Sequence, residues 1–380
     1  MQMILNEDQT MLAETVRRFV DEHSPLERFR NQRDAGNTEG YSPELWAKMA
    51  EMGWQALVLP EEHGGLDLGM AELAIVMDSL GRNLAGEPFL STVLLAGGML
   101  QTSSQSALAK KWLPKIALGE AIATVAYDEL GRRYDRSYCK TTATVGADSI
   151  VLSGTKHNVL NGASADLILV VARTSGSKTE AAGLTLLAVD PKAPGVEISP
   201  QTRIDHRGAA TVCFRDVEVS RTNVLGEIGG AAPVIEAVFD RAVVGLAAEM
   251  VGSATHAFEI TLAYMRERKQ FGVAIASFQA LQHRMAKVFT QIQMANSAVL
   301  GASRAIDDGS ADASKLASLA KTKAGQALEL AAKEGIQMHG GVGMTDEYDI
   351  GFFLKRARAA ETTLGDQAWH RKRWAELSGY

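Results

Sequence analysis

Cysteine is nearly missing: Cys139 and Cys213 are the only two in 380 residues, and neither stands at metal-ligand spacing from a partner. They read as buried thiols of a reducing cytosol and exclude a disulfide scaffold. Histidine is sparse too, eight residues without a His-x-x-x-His pair, so no metal site is expected. No apolar run reaches the ~20 residues that a membrane helix needs, and the start lacks the charged-then-apolar pattern of a signal peptide. An excess of basic charge is absent as well. The 39 Lys and Arg against 45 Asp and Glu leave a formal charge of -6, which argues against nucleic-acid binding. What remains, 46% hydrophobic and 22% charged, is ordinary for a globular protein expected in the cytoplasm.

The chain changes texture twice, and two or three domains suit its length. Up to residue 121 it reads as helices. Asn6 with Gln9 forms a capping-box start, followed by Leu12, Val16, Phe19 and Val20 on one face. Ser42-Pro43 is an N-cap with proline in the first turn, and 70–84 and 104–117 are further helices. Residues 122–228 carry short β-rich runs: Ile150–Leu152, Leu167–Val171, Leu184–Val189 and Thr211–Phe214. Without helices between them these predict an antiparallel sheet or small barrel, with Thr174–Gly183 a mobile loop. Helices return over 229–380. Leu281, Met285, Val288, Ile292 and Val299 form an apolar seam, Asp307–Ser310 breaks it, and a second long helix runs from about Ala313 to Met338. The expected fold is α+β, mostly α: a helical N-terminal domain, a middle antiparallel β-domain and a C-terminal four-helix bundle.

The end of that second helix is the most informative stretch. Gln337-Met-His-Gly-Gly-Val-Gly343 packs glycines at 340, 341 and 343 against a helix terminus. There a backbone can come close to a ligand and offer unpaired polar groups. A C-capped helix turn is the plainer explanation of the glycines alone. Upstream stand Arg268-Lys-Gln-Phe-Gly272 and Gln279.

Together these resemble the acyl-CoA dehydrogenase family, and the resemblance runs the length of the chain. Gly154-Thr-Lys156 with Asn161-Gly162, and Phe214–Val219 followed by Asn223–Gly226, are similar to segments of its middle domain. The resemblance implies an FAD cofactor. Arg268, Phe271, Gln279, Gln337, Met338, Gly340 and Gly341 would reach the dinucleotide of a flavin seated mainly in a neighbouring subunit. It also implies an acyl-CoA substrate, dehydrogenated between its α and β carbons, and an electron-transfer flavoprotein as acceptor.

The departures fall in particular places. The family's catalytic Glu occupies a loop near the C-terminus or the first long helix of the bundle; here these positions hold Leu364 and Ala242. Neither side chain can take up a proton. Glu361 and Glu249 are nearby carboxylates, each more simply read as a solvated or structurally paired residue. Where the family lines its own flavin with small residues, this chain has Asp128-Glu-Leu-Gly-Arg-Arg-Tyr-Asp135, and Asn158 and Leu160 replace a Trp-x-Thr. The pattern resembles the small, base-lacking subunits of heteromeric acyl-CoA dehydrogenases, which act on bulky acyl-CoAs such as steroid side chains or on dicarboxylyl-CoAs; fatty acid or steroid side-chain degradation is the expected setting. The alternatives are a self-sufficient homotetramer with a displaced Glu and a non-catalytic flavin or acyl-CoA binding protein.

Overall fold

The computed structural model describes residues 4–103 and 106–380. Helices open the chain: α1 (Glu7–His23), α2 (Leu26–Asp34), α3 (Pro43–Glu51), α4 (Met70–Arg82), a π-helical stretch over Phe89–Gly97, α5 (Gly98–Gln101) and α6 (Ala107–Ala117). The Asn6–Gln9 capping box and the Ser42 cap with Pro43 in the first turn are both formed. The π-helical stretch and α2 had no clear sequence signal, and the helix expected from residue 104 begins at Ala107, with 104 and 105 outside the described residues.

The strands are β1 (Ala123–Ala126), β2 (Thr142–Val145), β3 (Ser149–Leu160), β4 (Leu167–Arg173), β5 (Leu184–Val189), β6 (Val196–Gln201), β7 (Ala209–Ser220) and β8 (Val224–Leu225). They form one sheet in the order β6-β7-β3-β2-β4-β5-β8, with β1 paired to β4. The sheet is not wholly antiparallel: β1 runs parallel to β4, Ala123 opposite Leu167. Thr92 explains the entry of β1, because its hydroxyl donates to the Ala123 carbonyl (2.9 Å) and accepts from the Ala123 amide (3.2 Å). β4 and β5, the most continuously apolar runs, are buried along their whole length, as central strands covered on both faces are. The 174–183 connection, read as mobile, is tied down. Arg173 donates to the carbonyls of Ser175, Glu180 and Ala182.

Helices complete the chain: α7 (Ala232–Glu267), a short hairpin of β9 (Lys269–Gln270) and β10 (Val273–Ala274), α8 (Gln279–Asp307), α9 (Ala313–His339), α10 (Ile350–Thr362) and α11 (Gln367–Leu377). The chain forms two compact units. One comprises Met1–Asp34, Gly69–Ala85 and Val243–Tyr380; the other comprises Ala35–Leu68 and Gly86–Ala242.

In the first, helical unit, α9 packs against α8, α10 and α11. Asp307, at the end of α8, accepts from the amides of Met70 and Ala71 and so places a carboxylate on the unpaired N-terminus of α4. In the second unit the sheet core is built from alternate inward side chains, among them Ile150, Leu152, Ile168, Val170, Val212 and Phe214. Among the described residues no helix is long and apolar enough to cross a membrane, and no cluster of ligating side chains could hold a metal ion.

Candidate functional site

The residues expected to reach a flavin dinucleotide all lie in the helical unit. Arg268 follows the last turn of α7, where its amide donates to Tyr264 O (2.8 Å) and its carbonyl accepts from Ile275 N (2.8 Å). These bonds fold the β9–β10 hairpin back on the helix end. The Arg268 side chain is exposed and has no partner among the described residues. At the hairpin tip Phe271 takes φ 54° and is 91% exposed, its ring meeting Phe278 edge to face. An aromatic ring so exposed on a strained left-handed backbone is unusual for a side chain that has nothing to cover. Gln279 is exposed at the start of α8.

At the end of α9, Gln337 is exposed and Met338 buried. Gly340 takes φ 64° and ψ −139°, a backbone that only glycine adopts easily. Neither Gly340 nor Gly341 has any atom within 4 Å of where a Cβ would stand, so their peptide faces are open. Tyr264, one turn before Arg268, links the two segments. Its hydroxyl donates to His339 O (3.3 Å) and its ring stacks on His339 at 4.2 Å. An open glycine backbone, an unpaired guanidinium and amide side chains suit the pyrophosphate and polar edges of a flavin dinucleotide.

The two expected base positions hold no acid. Leu364 is buried, with φ 58° and its carbonyl 3.1 Å from His370 Nε2. Ala242 is fully buried within α7. Of the nearby carboxylates, Glu249 is 1% exposed and ion-paired with Arg356, whose Nε donates to it at 2.9 Å. Glu361 is bridged to Arg358 at 3.2 Å on a more open surface.

In the other unit, Leu130, Arg132 and Arg133 of the segment 128–135 are exposed, while the side chains that flank the segment pair with one another. Arg136 donates to Glu236 (2.6 Å) and Asp240 (3.0 Å) on the first turns of α7, with its own side chain only 5% exposed. Tyr127 meets Phe239 edge to face at 4.6 Å, and burial raises its hydroxyl pKa far above the usual value. Asn158, at φ 50°, accepts on its side-chain oxygen from Arg203 (3.0 Å), and Tyr134 takes φ 68°. Beneath them Glu129 and the fully buried Lys156 pair at 2.7 Å. Glu129 also accepts from the amides of Lys140 and Thr141; desolvation pushes its carboxyl up, but the charge and hydrogen bond of Lys156, helped by Thr141, hold it below the usual range. Sequence reasoning saw Lys156 only as part of a motif and did not find Arg136, because partners 100 residues apart leave no local pattern.

Comparison with known proteins gives three consecutive matches. Residues 6–120 match the acyl-CoA dehydrogenase N-terminal domain, 124–217 its middle domain and 229–378 its C-terminal domain. The chain is 32% identical to the acyl-CoA dehydrogenase IpdE2 of Mycobacterium tuberculosis, over 94% of this chain and 93% of that one. It is 28% identical to the mitochondrial isovaleryl-CoA dehydrogenase of Pongo abelii, over 95% and 86%. Among solved structures, the Tcur3481–Tcur3483 steroid ACAD superposes with a TM-score of 0.86 at 28% identity, over 98% of each chain.

Proposed function

The chain belongs to the acyl-CoA dehydrogenase family, flavin-dependent oxidoreductases, and we propose that it is the base-lacking subunit of a heteromeric member. One contrast carries this reading. The residues suited to a neighbour's flavin, the buried Met338 apart, are open, while the segment expected to line this chain's own flavin carries Arg132, Arg133 and Tyr134 in place of small residues and is flanked by a closed cluster of side chains. Arg136 is held by Glu236 and Asp240, and Tyr127 packs on Phe239, one turn before the Ala242 position. Arg268 acts as a charge-assisted donor to the pyrophosphate, and the Gly340–Gly341 backbone lets it approach. Phe271 covers it from the hairpin tip, and Gln279 and Gln337 complete the wall, whereas Met338, expected with them, is buried. FAD when bound accepts the hydride leaving the β carbon of an acyl-CoA. The α-proton needs a positioned base, and neither Leu364 nor Ala242 is one. The homologous partner subunit supplies it.

The comparisons favour a two-component enzyme with a bulky acyl-CoA, since one of the similar structures is a steroid ACAD named for two components. An electron-transfer flavoprotein as acceptor, a cytoplasmic location and a division at 1–121, 122–228 and 229–380 complete the proposal. The test is flavin content and α-proton exchange, measured on this chain alone and with a co-purified partner. Alone, the chain should exchange the α-proton of an acyl-CoA at least ~10²-fold more slowly than the assembly, the smallest effect that a missing general base usually has. Dehydrogenation by the pure chain, abolished by Glu249→Gln or Glu361→Gln, would establish the self-sufficient homotetramer instead. Stoichiometric flavin without exchange in any assembly would mark a binding protein.

A further inference from the structure

We infer that Arg30 and Arg33 of α2 are positioning residues that hold the 340–343 glycine turn in the form that accepts a flavin pyrophosphate; this rests on the reading of that turn above. The turn is a short 3-10 helix over Gly340–Met344, anchored at the buried Gly343 and by the Thr345 bonds to Val342 O but open at its start. Gly340 and Gly341 are exposed, with no atom near either Cβ position. Flexible backbone must be ordered on binding, and that cost falls when the flanks are already fixed. Both flanks are fixed here. On the upstream side His339 is buried, stacked on Tyr264 at 4.2 Å, with its Nδ1 2.7 Å from Gly335 O. On the downstream side α2 takes hold of the 346–349 segment. Arg33 donates one nitrogen to each carboxylate oxygen of Asp346, at 2.5 and 2.6 Å. Arg30 donates to the Asp346 carbonyl and to the Asp349 carboxylate, both at 2.6 Å.

A bidentate fork fixes direction as well as distance. The fork is itself braced, since the Arg30 and Arg33 guanidiniums lie 4.7 and 4.8 Å from the centre of the Phe352 ring, and Phe29 meets that ring edge-on at 5.1 Å. The Arg33 side chain is 11% exposed but that of Asp346 is 62% exposed, so solvent screens the pair and its geometry matters more than its charge. Asp346 and Asp349 bond to α2 through their side chains and to the turn through only a few peptide units, which suits a role in placement rather than contact with the cofactor.

The experiment uses the full chain, alone and in the assembly with its co-purified partner. Amide hydrogen exchange over 340–345 is measured on the chain without flavin, and the rate of FAD loss is measured on the assembly. Arg33→Ala should raise exchange in the turn and speed FAD loss roughly three- to tenfold, the size of effect expected when one ordering constraint is removed. The exchanged pair, Arg33→Asp with Asp346→Arg, should restore both. Should Arg33→Ala not fold, Arg33→Lys keeps the charge without the fork and reads the same two quantities. Faster exchange with unchanged FAD loss overturns the positioning role, as does a folded exchanged pair that restores neither quantity. Arg268→Ala separates the two levels of the argument. If it speeds FAD loss and Arg33→Ala does not, only the positioning role fails; if neither does, the flavin reading of the turn fails with it.

Discussion

Lys321 is 2% exposed, and its ammonium nitrogen donates to the carbonyls of Gly365 (2.7 Å) and Glu361 (3.1 Å), the ends of the loop that carries Leu364. Burial pushes its pKa down to about 7, with Glu361 and Asp366 opposing. Between that value and its unfolded value of 10.5, the unfolded chain holds a proton that the folded one does not, so stability must rise with pH across that window. Asp78 gives the opposite slope. It sits on the wall of a cavity of about 390 Å³ in the helical unit, and burial pushes its carboxyl up to about 6. From 3.8 to about 6 the folded chain holds the extra proton, and stability falls as pH rises. A tenfold difference in proton affinity between folded and unfolded chain is worth about 1.4 kcal/mol at most. Urea unfolding at pH 4, 6 and 9, compared between the wild-type chain and each variant, isolates the two contributions from those of carboxylates such as Glu129 whose pKa is lowered. Lys321→Met should remove the rise on the alkaline side and Asp78→Asn the fall on the acid side. Slopes that survive these substitutions would assign the pH dependence to other groups. Neither group was singled out in the sequence, where a lysine or an aspartate in an amphipathic helix looks like any solvated charge.

Helices α4 and α7 cross where each offers the other a glycine. A Cβ at Gly81 would meet the backbone carbonyl of Glu249, and one at Gly252 would meet that of Asp78. The Ser253 hydroxyl adds a bond to the Gly81 carbonyl at 2.7 Å. Because the obstacle in each case is backbone, it cannot swing aside, and the helices must separate. Gly252→Ala should cost about 1–3 kcal/mol of stability, the range for overpacking a tight site, and Gly81→Ala about the same. The double variant should cost less than the sum, since the first substitution already separates the crossing. Full additivity in denaturant midpoints would show that the two glycines act independently. The seam of α8, the extent of α9, the caps of α1 and α3 and the strands β3, β4, β5 and β7 were legible, because they follow from local pattern. The π-helical stretch over 89–97, the parallel entry of β1 and this glycine crossing were not, because each depends on what a distant segment presents. The same division holds within the site. Arg268, Gln279 and the glycine turn stood out as motifs, whereas the Arg136 latch and the Arg33 fork join residues 104 and 313 positions apart.

At the scale of the whole molecule, a flavin shared between chains requires that this chain assemble. Along α8 the seam read from the sequence turns inward, and two apolar residues outside it stay exposed. Met285, Val288, Ile292 and Val299 are buried within the subunit, while Phe289 and Met294 remain 51% and 44% exposed. The buried positions belong to the subunit core, so the exposed pair is what α8 leaves for a partner. We propose a tetramer, homomeric or two-plus-two with a homologous chain, that covers these side chains and brings Arg268 against the neighbour's flavin. Phe289→Glu should weaken assembly, because a charge in an apolar contact is costly to dehydrate. If the flavin is shared, FAD should be lost in step with the assembly rather than with the fold. Arg268→Ala should behave in the reverse way. A charge-assisted bond to phosphate contributes roughly 1.5–3 kcal/mol, so flavin retention should drop while the oligomer persists. Sedimentation with detection at both protein and flavin wavelengths reads both quantities in one run. A monomer that keeps stoichiometric FAD would sink the shared-site proposal, and with it the reason for Arg268 to stand exposed and unpaired at the end of α7.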